Sequence, residues 1–358
     1  MLGNRLRLSV FGESHGEGIG LVAENLPSGI EIDTCAIVAE MARRAPGKSP
    51  LSTPRREADE PRFISGVYKG HTTGTPLCAI IENTNTRSAD YERTESFARP
   101  GHADFTGFKR YSGFNDLRGG GHFSGRLTAP IVLIGAILRP FLSAKGIEIG
   151  AHIVRIGKAE DRRLESGEIT PELLSRLRAQ ELPVLTCGID EKMRAEVGSA
   201  KKDGDSVGGI IETAATGLPA GLGDPMFDGV ESLVSRAFFA VPAVKGVAFG
   251  AGFQAAEMRG SECNDALYTE NGRVCSKTNN NGGILGGITV GTPLTVSAAI
   301  KPTPSIAIKQ KTVTIDGNEN GEIEVRGRHD PCIVPRAVPV LESALIFALA
   351  DIIMSSYE

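Results

Sequence analysis

The chain has 358 residues, enough to bury a sizeable core as one large domain or two ordinary ones. Hydrophobic residues make up 41% and charged residues 23%, which fits a globular protein and argues against disorder. Lys+Arg total 39 against 43 Asp+Glu, a net charge of −4; this counts against a nucleic-acid partner, and any polyanion site must come from local clustering of arginine and lysine.

The six cysteines form no CxxC pair and the six histidines are dispersed, so no metal site is expected. The N-terminus reaches charge and glycine too soon for a signal-peptide core. No run of 18 apolar residues points to a membrane span. A reduced, cytoplasmic protein is the expectation.

In chain order, a first strand over 6–11 leads into Gly12-Glu13-Ser14-His15-Gly16-Glu17-Gly18-Ile19-Gly20. Glycines there let a backbone approach a ligand, and His15 can move a proton near neutral pH; the bland alternative is a turn with an incidental histidine. Arg43, Arg44, Lys48, Arg55 and Arg56 form a basic stretch that reads first as a solvated face, with Glu57 and Asp59 close behind. Strands over 62–67 and 77–82 form a hairpin. Residues 97–125 read as a long polar loop, and so do residues 261–287. The first of these loops holds Arg99-Pro100-Gly101-His102-Ala103-Asp104, where Asp104 is near enough to orient an imidazole.

The same loop ends in Arg118-Gly119-Gly120-Gly121-His122-Phe123-Ser124-Gly125-Arg126-Leu127-Thr128, which predicts an anion cradle of backbone N–H groups with Ser124, Arg126 and Thr128. The spacing is not that of a Walker loop. An apolar helix follows over 128–146, with Thr128 as N-cap, Pro130 in the first turn, Gly146 as stop and a kink or break at Pro140. A surface helix is expected over 170–180, and strands over 208–213, 244–248, 294–300 and 322–325. Residues 250–255 fit GxGxxA, but no βαβ unit surrounds them, so dinucleotide binding is not implied. Arg326-Gly327-Arg328-His329-Asp330-Pro331-Cys332 places two arginines beside a carboxylate. A second apolar helix, over 338–354, has no wide polar face and must be buried on most sides. Strands do not alternate with helices, which favours α+β over a doubly wound sheet.

Taken together, GESHG, TPRRE, SGVYKGHTTGTP, RPGHAD, GGGHFSGRLT, DSVGG, GLGDPMFDGVE, PAVKGVAFG, NNGGILGGIT, KPTPSI and GRHDPC, in this order over nearly the whole chain, resemble the chorismate synthase family. The resemblance implies a lyase of the shikimate pathway. Such an enzyme converts 5-enolpyruvylshikimate 3-phosphate to chorismate and phosphate by 1,4-anti elimination with reduced FMN. It implies a β-α-β sandwich with a buried helical layer between antiparallel sheets, one catalytic domain over 1–358, and a homotetramer supplied with reduced FMN by an external flavin reductase. By the same resemblance His15 protonates the departing phosphate with Ser14 beside it, His102 protonates the flavin, and Asp330 assists proton removal. FMN would touch His122, Phe123, Ser124, Pro242, Ala243, Gly286, Lys301, Pro302, Thr303, Pro304, Ser305 and Arg328. Arg44, Arg55 and Arg126 would serve the substrate or an NADP-type reductant. The chain departs from the family at His122-Phe123, where arginine-serine is common, and at Leu127, where glutamate is; Ala45 and Pro50 replace arginines. The competing reading is a non-catalytic flavin- or polyanion-binding paralogue.

Overall fold

The computed structural model describes residues 1–45, 47, 59–84, 96–270, 272–325 and 330–356. The two most apolar helices, Ala129–Ser143 and Val334–Ser356, pack on one another at its centre, flanked by helices Thr34–Arg44 and Val230–Phe239. In Val334–Ser356 every residue from Ala337 to Ile353 is buried, as a helix without a polar face requires. Its composition would allow it to cross a bilayer, yet 94% of its apolar window is covered by the rest of this protein. Close approach of the two helices depends on Gly135: a Cβ there would stand 2.4 Å from the Ser343 side chain and 2.7 Å from its Cα.

Antiparallel sheets lie on either side of this layer. One has four strands in the order Arg7–Gly12, Gly18–Glu24, Leu77–Glu82, Pro61–Ser65. Helix Ala129–Ser143 touches its second strand. The other has five, ordered Val244–Phe249, Leu294–Ile300, Gly209–Thr216, Glu148–Ile156, Ala159–Glu160. Period-two alternation splits the faces of this second sheet. Ile149, Ala151 and Ile153 join the main core, while Ala214 packs outward with Ile169 and Leu174. Gly150 faces the same way, close beneath Leu174 of helix Pro171–Arg178. The architecture is the expected α+β sandwich of a helical layer between antiparallel sheets, with further helices on the outer face of the larger one.

Buried charge ties the helices together. Glu342, fully buried in the central helix, accepts from Arg43 at 2.6 and 3.0 Å and from Arg139 at 3.3 Å; Arg139 also donates to the Ile149 carbonyl. Arg43 continues to Glu40, which Arg178 also grips. Burial works against the Glu40 charge, but Arg43, Arg139 and Arg178 outweigh it and hold the carboxyl below its usual range. At the other end of the central helix, Asp351 accepts the backbone N–H groups of Asn4, Arg5 and Leu6, each at 2.8 Å, and so pins the N-terminal segment.

Several elements differ from expectation. Helix Ala129–Ser143 runs unbroken through Pro140, which stands in its last turn and gives up only the bond to the Ala136 carbonyl. The central helix begins at Val334, with Pro335 in its first turn. The loop over 97–125 contains a helix, Asp104–Arg110, and the loop over 261–287 contains the hairpin Leu267–Glu270 and Arg273–Ser276. The strand expected over 322–325 is Asn320–Ile323, paired with Gln310–Val313. The GxGxxA segment becomes the 3₁₀ turn Gly252–Glu257, outside any βαβ unit.

Candidate active site

Strands Arg7–Gly12 and Gly18–Glu24 are joined by the turn that carries Ser14 and His15, both buried. Asn83 braces this turn by donating to the carbonyls of Glu13 at 2.9 Å and Gly16 at 3.0 Å. The Ser14 hydroxyl lies 3.0 Å from His15 Nδ1 and within 3.2 Å of the carbonyls of Arg118 and Gly119. Carbonyls only accept, so the single Ser14 proton goes to them and His15 Nδ1–H donates to Ser14 Oγ.

Three successive glycines, Gly119 to Gly121, all have positive φ (59°, 85° and 51°), a run that residues with a side chain cannot follow. Space demands glycine as well. A Cβ on Gly119 would fall 2.1 Å from His15 Cε1, and one on Gly120 would fall 2.9 Å from Cε1 and Nε2 of His102. Consecutive Cα atoms are about 3.8 Å apart. His15 and His102, 87 positions apart in sequence, therefore flank one peptide unit.

His102 is held by its own loop. Its Nδ1 is 2.6 Å from Asp104 Oδ1, and Asp104 in turn accepts from Arg99 Nε and Nη2, both at 2.7 Å. Burial opposes the Asp104 charge, but the Arg99 and His102 hydrogen bonds prevail and keep the carboxyl well below its usual range.

A second cluster gathers the arginines. Arg44 and Arg126 each bind one oxygen of Asp59, and all three are buried. Arg126 also donates to Asn83 Oδ1 at 3.0 Å and to the Glu82 carbonyl at 3.2 Å, which links this cluster to the His15 turn. Arg336 donates to the Arg44 carbonyl at 2.9 Å and pairs with Asp330. Burial lowers Arg44 to about 10, with Asp59 opposing and Arg336 and Arg126 adding to the fall; it stays charged at neutral pH. Asp59 has φ of 53°, a conformation unusual for a residue with a side chain. The basic stretch is thus not a solvated face at Arg44, and Asp59 organises arginines rather than weakening them.

Of the groups expected in the anion cradle, Arg126 is engaged as above. Ser124 accepts the Arg126 N–H, and Thr128 donates to the Gly125 carbonyl at 2.6 Å. A third set of expected residues converges on His102. The Lys301 N–H donates to the Ala243 carbonyl at 3.0 Å, the Lys301 ammonium to the Gly101 carbonyl, and Pro304 lies beside Gly101. Ser305 accepts from Arg99 at 3.4 Å. Thr303 Oγ1 is buried with no hydrogen-bond partner among the described residues, and Ala243 adopts φ of 75°. Burial and then the charge of Lys245 lower the Lys301 ammonium from its usual value. An unsatisfied hydroxyl two residues from the Lys301 ammonium suits an anionic ligand. Gly286 stands elsewhere, in the turn of the hairpin Ile284–Leu285 and Ile288–Thr289. Arg55 and Arg328 lie outside the described residues.

The chorismate synthase family profile matches residues 6–354. The chain belongs to the chorismate synthase family. It is similar to the chorismate synthase of Thermococcus kodakarensis, 46% identical over 98% of this chain and 96% of that one. The chorismate synthase of Pyrococcus abyssi is 47% identical over 98% and 96% of the two chains. A crystal structure of a chorismate synthase superposes with a TM-score of 0.78 at 30% identity, covering 99% of this chain and 93% of its own.

Three departures from the chorismate synthase pattern, Leu127, Phe123 and His122, have local explanations; Pro50 lies outside the described residues. Leu127 is buried and joins the apolar core. Phe123 packs on helix Asp104–Arg110, its ring 6.3 Å from that of Tyr111 and against Gly107. His122 is exposed, and its Nδ1–H donates to the Gly12 carbonyl at 2.9 Å, clipping the glycine turn to the first strand. Asp59, Asn83, Arg99 and Arg336 were not among the expected site residues. Arg99 and Asn83 carried a signal in their neighbours, the RPGHAD turn and the strand end; Asp59 and Arg336 carried none, because their role is set by partners far away in sequence.

Proposed function

We propose that this chain is an active chorismate synthase, forming chorismate and phosphate from 5-enolpyruvylshikimate 3-phosphate by 1,4-anti elimination. Full-length family membership supports the activity. The observation that carries the chemistry is the pair of imidazoles, His15 buried and His102 half-buried, on either side of the Gly119–Gly120 peptide. The paralogue reading is disfavoured because His15, His102 and Asp330 are all present and the departures at Phe123 and Leu127 are accommodated by packing.

A substrate with two carboxylates and a phosphate needs converging cations, and Arg44 and Arg126, presented together by Asp59, are the proposed providers, with Arg55 as a third. His15, its Nδ1–H committed to Ser14, would deliver a proton from Nε2 to the departing phosphate. Asp330, paired with Arg336, is the proposed acceptor of the proton that leaves the substrate carbon. The flavin would rest against Pro242-Ala243 and Lys301 to Ser305, where the unpartnered Thr303 hydroxyl and the Lys301 ammonium fit an anionic cofactor, with His122, Phe123, Ser124, Gly286 and Arg328 as further proposed contacts. When bound and reduced, FMN supplies transient electron density with no net redox change. His102, whose neighbours Gly101 and Arg99 touch Lys301, Pro304 and Ser305, would hold the proton exchanged with the cofactor.

One catalytic domain over 1–358, a homotetramer, an external reductase as the source of reduced FMN, and a cytoplasmic location belong to the same proposal. The tetramer has support in Met226, Phe227 and Phe253, each at least 80% exposed in the single chain. The location has support in the free thiols of Cys35, Cys78, Cys187, Cys263 and Cys332. The test is an anaerobic assay of the purified protein with reduced FMN and the phosphorylated substrate. Release of chorismate and phosphate supports the reading. Bound flavin without product supports the paralogue.

A further inference from the structure

We propose that Asp104, clamped by Arg99, is a positioning residue that places the His102 proton on Nδ1 and leaves Nε2 as the atom that meets the ligand. Asp104 is buried, and each of its oxygens takes two donors. Oδ2 accepts the Arg99 backbone N–H at 3.0 Å and Arg99 Nε at 2.7 Å; Oδ1 accepts Arg99 Nη2 at 2.7 Å and His102 Nδ1 at 2.6 Å. A carboxylate has no proton to give, and two lone pairs cannot face each other at that separation, so Nδ1 carries the hydrogen. Arg99 Nη2 also lies 3.1 Å from Nδ1 and 3.4 Å from Nε2. A guanidinium only donates, and Nδ1–H has nothing left to accept with; its approach to Nδ1 is therefore packing, and the shorter Asp104 bond decides the tautomer.

The geometry follows from the local chain. Gly101, at φ of 75°, reverses the backbone after Arg99-Pro100 and brings Asp104, the first residue of helix Asp104–Arg110, back onto the Arg99 N–H. The opposite edge of the His102 ring, Cε1 and Nε2, is the part nearest Gly120. In the neutral ring Nε2 is an acceptor there; in the charged ring it is a donor. Arg99 keeps Asp104 ionised, so the arrangement persists across neutral pH. Only the kinetic consequence rests on the role proposed for His102.

Asp104→Asn should invert the arrangement. With its oxygen on the Arg99 N–H and Nε the Asn keeps two of the three Arg99 bonds, against one in the flipped amide, so the NH₂ takes the place of Oδ1, gives up Arg99 Nη2 and donates to His102 Nδ1, which drives the proton to Nε2. The experiment is NMR of the substrate-free, flavin-free full chain carrying ¹⁵N,¹³C-histidine at about pH 8, above the ordinary histidine range, with His102 assigned by its loss in His102→Gln. The expected spectrum shows His102 as the Nδ1–H tautomer in the natural protein and as Nε2–H in Asp104→Asn. In the anaerobic assay kcat should fall on the order of 10³–10⁴-fold, the scale of a wrong-tautomer defect, with KM little changed. Nε2–H in the natural protein overturns the proposal, and needs no variant to fold; so does an unchanged tautomer or kcat in Asp104→Asn. A natural chain that makes no chorismate strikes the proposed activity alone, since the spectrum still decides the tautomer.

Discussion

His15 and Gly119 illustrate how closely single residues are matched at this site. The imidazole and the glycine backbone occupy adjoining space so tightly that one added methyl group would overlap the ring. Replacing His15 or His102 by alanine removes an acid–base group without disturbing a glycine, and turnover should fall by about 10–10⁴-fold; near-natural activity in both variants would remove them from the chemistry. Gly119→Ala tests the backbone instead. It keeps both histidines but forces His15 aside and strains the backbone, and it should lower kcat by at least about 10-fold and lower the melting temperature as well, measured by the same assay and by calorimetry.

Much of this was legible in the residues themselves. GESHG, RPGHAD and GGGHFSG lie in loops where glycine, histidine and arginine have no packing role to hide behind. Asp59 was not legible. Its meaning depends on a left-handed backbone and on Arg126, 67 positions away, so in sequence it reads only as an acid among bases. Leu127 and Phe123 look like losses of function in sequence and become packing residues once their neighbours are known.

Among the elements, the two apolar helices announced themselves by hydrophobicity alone, and 294–300 was read with its observed boundaries. Helices Thr34–Arg44 and Ile189–Lys202 went unread because their residues have ordinary propensities and only a partial apolar stripe; packing supplies most of what stabilises them. The crossing of Ala129–Ser143 on Val334–Ser356 depends on Gly135. Gly135→Ala would place a methyl group against Ser343 Cα and should destabilise by about 1–3 kcal/mol, despite alanine's better helix propensity. A variant as stable as the natural protein in urea titration would show that the helices can shift apart freely. Glu342→Ala leaves Arg43 and Arg139 without their shared carboxylate and should cost about 3–5 kcal/mol in the same titration; a loss below 1 kcal/mol would contradict the network's role.

Across the whole molecule, Glu40, Asp59 and Asp104 share one electrostatic signature. Burial opposes the charge of each, and arginines outweigh it, so all three carboxyls are held low in the folded chain. A depressed folded value contributes stability that is complete above the unfolded value, about 4, and disappears as pH falls through the folded one. Melting temperature should therefore be level from about pH 8 to pH 5 and drop steeply below about pH 4; a level profile down to pH 3 would mean these ion pairs contribute little. The same three residues connect fold to function, since Glu40 ties helices while Asp59 and Asp104 present Arg126 and His102. The most direct measurement of the central claim is the anaerobic turnover assay with reduced FMN. Chorismate and phosphate should form in equal amounts over many turnovers, with the flavin still reduced at the end. Substrate and flavin both bound, with no phosphate released, would contradict it.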